Sequence, residues 1–196
     1  TDVATVFTMA TAGGTGATTT SIETVNLKAG SSAVVTAAAF AGQAVNNTSA
    51  TAASLVTLGA GAGQSFTATG TGSNTVVLGG GLGNQATITG STAIAQTVTL
   101  GGVGQLASEG AGNVTVNSTG ARLAGSSFAG GAGTGDVLTL TAVAATGITL
   151  ATTAVAAGAA AFSGFETLTL ARTIAATSAV AVTLDQAALA VTMSGG

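Results

Sequence analysis

The chain of 196 residues contains no cysteine, no proline and no histidine. Without cysteine it forms neither a disulfide framework nor a thiolate metal site. Without proline, every turn must be built from glycine, asparagine, serine or aspartate, and the 31 glycines meet that need. A chain without thiols also suits an export route that avoids thiol oxidation, so these absences favour a secreted protein.

Charged residues are scarce, at 5% of the chain, against about a quarter in typical soluble domains. The three basic residues, Lys28, Arg122 and Arg172, lie far apart in the sequence. Because no basic patch results, we expect no nucleic-acid partner. The chain is nevertheless 46% hydrophobic with a net charge of −3, which is the opposite of the composition of disordered segments. We therefore expect a folded core.

The chain is poorly equipped for catalysis. Histidine is the commonest general acid or base and the usual partner of a nucleophile, and the sequence has none. Glycoside cleavage needs a carboxylate pair that flanks the scissile bond, but the six acidic residues are scattered and neither tryptophan nor tyrosine is present to hold a sugar. We predict that the protein is not an enzyme.

Short runs of threonine alternating with branched aliphatic residues recur along the chain, bounded by glycine, asparagine and serine. β-Branched residues with a period of two are the signal of a strand. The runs are residues 24–27, 55–58, 65–68, 75–78, 86–89, 97–100, 113–116, 137–140 and 167–170. The sequence predicts one all-β assembly domain over residues 1–196, belonging to a longer surface protein or to a filament subunit.

Successive runs between residues 55 and 100 begin about ten or eleven residues apart. This spacing suits the stacked coils of a parallel β-solenoid or β-roll, and it also suits the hairpins of a β-sandwich. The runs resemble one another, and glycine-rich spacers recur at like positions, which favours the solenoid and leaves the sandwich as the alternative. Alanine-rich segments at residues 36–44, 153–162 and 185–190 predict a few short helices beside the sheets.

No membrane-spanning segment is predicted. Residues 137–165 carry no charge, but threonine and glycine interrupt them and their apolar members are mostly alanine. A bilayer span needs about 20 strongly apolar residues.

Residues 130–140, with the sequence Gly-Gly-Ala-Gly-Thr-Gly-Asp-Val-Leu-Thr-Leu, come close to the nonapeptide G-G-x-G-x-D-x-U-x of calcium-binding β-rolls. The aspartate is displaced by one residue. Glycine lets backbone carbonyl groups turn towards an ion, and Asp136 adds charged oxygen. The segment predicts a calcium site at Asp136 with Gly133 and Gly135. Since calcium takes six to eight oxygen ligands, a neighbouring coil or a second subunit would supply the rest. The alternative is a set of glycine turns that keep the shape of a roll without the metal.

Two segments carry a family resemblance. Residues 21–27, Ser-Ile-Glu-Thr-Val-Asn-Leu, and 164–170, Gly-Phe-Glu-Thr-Leu-Thr-Leu, resemble a segment that recurs in RTX-related bacterial surface-layer proteins. The threonine-, alanine- and glycine-rich composition is similar to theirs. The resemblance implies secretion by a type I route, assembly into lattices or sheaths at the bacterial cell surface, and the use of calcium in assembly.

These observations favour a structural subunit that associates with copies of itself in an extracellular surface layer or filament. Cell-surface polysaccharide is a further candidate partner. The alternative is an adhesin or an ice-binding β-solenoid module, because Thr-x-Thr tripeptides such as 97–99 and 167–169 form a flat face when they stack on one side of a sheet. Strand propensity alone also produces such tripeptides, so the register of the strands has to decide.

Overall fold

A computed structural model shows an all-β parallel solenoid made of two sheets, which confirms the favoured architecture over the sandwich. It describes residues 3–6, 17–18, 24–27, 33–36, 41–48, 54–70, 72–89, 96–110, 112–143, 148–151, 160–172, 182–184 and 189–194. Every described strand pairing is parallel. The chain therefore winds from one sheet to the other and back.

Sheet A has ten strands, in the spatial order β1 (Val3–Val6), β3 (Thr24–Leu27), β5 (Ala44–Asn47), β7 (Ser65–Ala68), β9 (Gln85–Ile88), β11 (Leu106–Glu109), β13 (Ser127–Ala129), β16 (Ala160–Ser163), β15 (Ile148–Ala151) and β18 (Val182–Leu184). Sheet B has nine, in the order β2 (Ala17–Thr18), β4 (Ala33–Thr36), β6 (Ser54–Thr57), β8 (Asn74–Val77), β10 (Gln96–Thr99), β12 (Val114–Thr119), β14 (Val137–Val143), β17 (Thr167–Arg172) and β19 (Ala190–Ser194).

The pairing register defines the length of a coil. Along sheet A, paired positions from β3 to β13 are 20 or 21 residues apart. Each coil contributes one strand to each sheet, so the ten- or eleven-residue spacing of the sequence runs is half a coil. All nine predicted runs lie in strands, with boundaries that differ by a residue or by extension of β12, β14 and β17.

Side chains alternate between the interior and the surface along every strand whose burial is described, except β19 at the edge of sheet B. Inward residues of equivalent position stack on one another from coil to coil. One such column in sheet A runs through Val45, Phe66 and Ala86, and all three are fully buried. Phenylalanine is the largest side chain in the sequence, which predicts that it lies in the core. Phe66, Phe128, Phe162 and Phe165 are buried; Phe7 and Phe40 lie outside the described residues.

The corner that leads into sheet A contains a glycine at the same place in successive coils. These glycines have φ between 64° and 77°, a left-handed conformation that L side chains rarely adopt. They are Gly42, Gly63, Gly83, Gly104 and Gly125. The recurrent glycine spacers of the sequence are therefore the turns of this corner.

Near the C-terminal end of the described solenoid, the strands of sheet A leave chain order. Strand β16 lies between β13 and β15, although β15 precedes it in the sequence. Sheet B keeps chain order through β14, β17 and β19. The position next to β13 in sheet A is therefore occupied by β16 and not by β15, the next strand of this sheet in the sequence.

The structure describes only the ends of the segments predicted to form short helices. Thr36, Ala44, residues 160–162 and Ala190 are in strands, and the remainder lies largely outside the described residues. The one helical element in the described ranges is a 3-10 turn, Gly120–Arg122. None of the described helical structure is long or apolar enough to cross a membrane.

Candidate functional site at Asp136

Each corner of the solenoid contains a column of buried polar side chains. The column at the corner before sheet A, here called ladder A, consists of Gln43, Gln64, Asn84, Gln105 and Ser126. The column at the corner before sheet B, ladder B, consists of Ser54, Asn74, Gln96, Asp136 and half-buried Glu166, with the apolar Val114 at the level between Gln96 and Asp136. Since buried polar groups require hydrogen-bond partners, the function of these columns lies in what they bind.

In ladder A, a side-chain oxygen of one coil accepts a hydrogen bond from a backbone N–H of the preceding coil. The N–H of Gln64 donates to Asn84 Oδ1 at 2.9 Å, and the N–H of Gln105 donates to Ser126 Oγ at 3.2 Å. The amide group of Gln105 also donates to the carbonyl oxygens of Gly79 and Gly81, at 2.9 and 2.8 Å. Ladder A thus satisfies the backbone groups that the turns leave unpaired.

Ladder B uses the same arrangement and ends in acidic residues. The N–H of Asn74 donates to Gln96 Oε1 at 2.7 Å. Two levels further on, the N–H of Val114 donates to Asp136 Oδ1 at 2.7 Å. The N–H of Asp136 in turn donates to Glu166 Oε2 at 2.8 Å. Asp136 and Glu166 therefore take the place that Asn74 and Gln96 take in two of the earlier coils.

Asp136 differs from the amide residues of the ladders because one of its two carboxylate oxygens has no hydrogen-bond partner. Its side chain is fully buried, and Oδ2 has no hydrogen-bond partner. Burial raises the pKa of Asp136, the hydrogen bond from Val114 lowers it, and the charge of Glu166 raises it, with a net upward shift. An orphaned carboxylate oxygen in a closed corner is a place that attracts a proton or a cation.

The two glycines predicted with Asp136 pack against the preceding coil. A Cβ atom on Gly133 would overlap the carbonyl oxygen of Gly112 and lie 2.9 Å from Asn113 Oδ1 and 3.0 Å from Asp136 Oδ2. A Cβ atom on Gly135 would lie 2.6 Å from Asn113 Nδ2. Glycine at position 133 therefore allows the two coils to approach closely, and three oxygen atoms lie around the position that a side chain would take.

Comparisons with protein-family models, with curated proteins and with solved structures gave no match. Within the described part of the chain, no group of three or more histidine, cysteine, aspartate or glutamate residues is placed to hold a metal. Three oxygens at Gly133 are fewer than the six to eight that calcium takes, so calcium at Asp136, Gly133 and Gly135 stays a prediction that requires further ligands.

The structure brings together all three residues of the predicted site and adds two that the sequence motif did not include, Asn113 and Glu166. The sequence did contain a signal for the ladders. Gln43, Gln64, Asn84 and Gln105 each directly precede a strand at intervals of 20 or 21 residues. That period marks a column of stacked side chains rather than isolated turn residues.

Proposed function

We propose that the protein is a structural subunit of an extracellular surface layer or filament at the bacterial cell surface, and that it associates with copies of itself. The observation that supports this most directly is an apolar core that opens at strand β19. The register pairs Val191 with Leu168 and Met193 with Leu170. Leu168 and Leu170 are 0% exposed, whereas Val191 is 47% and Met193 51% exposed.

Strand β19 also presents a free sheet edge. Among the described strands, β19 has a neighbour on one side only, and the same holds for β18 in sheet A. At the opposite end, β1 and β2 are the corresponding edge strands. An exposed edge is a template for pairing with another chain. A second copy stacked along the solenoid axis continues both sheets and covers the open core.

A contact of this kind joins one end of a subunit to the other end of the next. Such a heterologous contact produces a filament when the rotation between neighbours does not close a ring. With nine formal charges on 196 residues, electrostatic repulsion between copies is weak. We therefore expect the polymers to persist in high salt.

Calcium is the proposed assembly ion, held at Asp136 with Gly133 and Gly135. The orphaned Oδ2 atom supports this part of the proposal. The role of calcium is tested by assembly with and without chelator in the wild type and in D136N. We expect chelator to weaken assembly of the wild type and to leave D136N unaffected. Indifference to chelator in both proteins would remove calcium from the proposal.

The end-to-end contact is tested with Val191→Lys, which puts a charge among the exposed apolar side chains of β19. The control is Val103→Lys. Val103 is similarly exposed, at 41%, but lies in a corner turn away from the sheet edges. We expect V191K to raise the concentration at which the protein scatters light and forms filaments by at least tenfold, and V103K to behave as the wild type.

Electron microscopy across a concentration series provides the second readout. A wild type that is monomeric at every concentration, with and without calcium, contradicts the proposal. So does an equal loss of assembly in V191K and V103K.

A further inference from the structure

The outer surface of sheet B carries two columns of side chains that the strand register aligns from β6 to β19. The first column is Leu55, Thr75, Thr97, Thr115, Val137, Thr167 and Ala190; the second is Thr57, Val77, Thr99, Asn117, Thr139, Thr169 and Thr192. Nine of these fourteen residues are threonine and none is charged. We call these two columns the threonine face.

Sheet A provides an internal control for the effect of strand propensity. Its described outward positions are Thr24, Asn26, Ala44, Asn46, Ser65, Thr67, Gln85, Thr87, Leu106, Ser127, Ala129, Ala161 and Ser163. Three of these thirteen are threonine. Strand propensity acts on both sheets alike, so it does not account for nine threonines on one face and three on the other. The threonine face is a property of one surface.

Threonine gives this face a fixed two-dimensional pattern. Its χ1 angle is restricted because the side chain is β-branched, so each hydroxyl and methyl group has few positions. Neighbouring strands lie about 4.8 Å apart, and alternate residues along a strand about 6.7 Å apart. Two threonines stand side by side in β10, at Thr97 and Thr99, and in β17, at Thr167 and Thr169. Little conformational entropy is lost when such a surface binds a regular partner.

We propose that the threonine face binds ice. A partner that matches this face must be uncharged and must repeat in two dimensions at spacings close to those of the strands. It must accept and donate hydrogen bonds at the hydroxyl groups and leave room for the methyl groups. The surface of an ice crystal meets these requirements, since its oxygen atoms form a neutral periodic array of donors and acceptors.

A second copy of the chain is a poorer match in pattern. Its own face interrupts the threonines with leucine, valine, asparagine and alanine, so the two copies would not repeat the same contact at every position. An ice surface repeats at every position. The proposal is independent of end-to-end association, which uses the sheet edges.

The test is partition of the full chain into slowly growing ice, with Thr99→Tyr as the variant and Thr67→Tyr as its control. Both threonines are half-buried, point outward, and lie in central strands of their sheets. Tyrosine is well tolerated in strands, but at position 99 it stands above the threonine face. We expect the wild type and T67Y to enrich in ice, and T99Y to be at least tenfold less enriched.

Circular dichroism first establishes that both variants retain the β-fold. A wild type that ice excludes as it excludes an unrelated protein overturns the proposal. Retention of T99Y in ice at the wild-type level also overturns it. If ice excludes all three proteins while T99Y alone loses a concentration-dependent dimer, the threonine face binds a second copy instead, and the proposal is wrong.

Discussion

Asp136 is the residue in which the described structure leaves a buried acidic oxygen without a partner. Its Oδ1 accepts the N–H of Val114, and its own N–H donates to Glu166, so the residue links three consecutive levels of sheet B. An asparagine would retain the acceptor for Val114 while it removes the charge. Asp136 thus joins neighbouring coils through its hydrogen bonds, while its burial makes the ionised carboxylate unfavourable.

This gives a prediction about pH. Burial, with a smaller contribution from Glu166, raises the pKa of Asp136 against the lowering effect of Val114. A raised pKa in the folded state means that the protonated acid stabilises the fold at acidic pH. This contribution is lost as the pH rises through the folded pKa. We expect the free energy of unfolding of the wild type to fall relative to that of D136N between about pH 4 and neutral pH.

Chemical denaturation at a series of pH values, with chelator present, measures the difference between the two proteins. Parallel pH profiles for the wild type and D136N would contradict the account of Asp136.

At the scale of the element, the ladders hold the coils in register. Gln96 accepts from the backbone and the side chain of Asn74, at 2.7 and 3.0 Å, and donates to the carbonyl oxygen of Gly72 at 3.2 Å. A β-sheet slips easily when its side chains do not distinguish one register from another. Hydrogen bonds between the corner side chain of one level and the backbone of the preceding level make that distinction here.

We expect Gln96→Leu to destabilise the fold by about 1–3 kcal/mol, because buried donors and acceptors lose their partner. The matched control is Gln85→Leu. Gln85 is exposed on the outer face of sheet A, and we expect a change within about 0.5 kcal/mol. Urea denaturation of both variants measures the effect. Equal effects of the two substitutions would show that the ladder contributes nothing specific.

At the scale of the whole molecule, the solenoid is a stack in which each level contacts mainly its neighbours. The stability of such a stack is approximately a sum over coils and their interfaces. Residues one coil apart occupy equivalent positions, as Ser65 and Gln85 do in β7 and β9. Deletion of one whole coil should therefore leave the remaining strands on their correct sheets.

We expect a chain that lacks residues 65–84, which joins Gln64 directly to Gln85, to fold with the strand content of the remaining coils and with lower stability. Deletion of residues 65–74 is the control, because half a coil places the following strands on the wrong sheet. Circular dichroism and urea denaturation compare the two chains. Loss of the fold in both would contradict the additive description of the solenoid.

The sequence was sufficient to predict the strands and the favoured architecture. Alternation of threonine with aliphatic residues is local, and strands such as β7 follow from it directly. The choice between solenoid and sandwich depended on which runs pair, which is a non-local property. Gln64 and Asn84 were not recognised as ladder residues, because amide side chains in turns have local explanations as well. Nothing in the local pattern indicates that Glu166 is a partner of Asp136, because the two residues are 30 positions apart in the sequence. The sequence therefore singled out Asp136 as a candidate residue but did not predict its hydrogen-bond network.

The position of strand β15 in sheet A has a consequence for the order in which the strands can pair as the chain emerges from the ribosome. Up to β14, each new strand can add to the edge that the previous coil left open. Strand β15 emerges before β16, yet it pairs on the far side of β16. The edge of β13 must therefore stay open until β16 arrives, although β15 is already present. Strands up to β14 can therefore pair in the order in which they emerge. The last strands of sheet A can pair only after β16 has emerged.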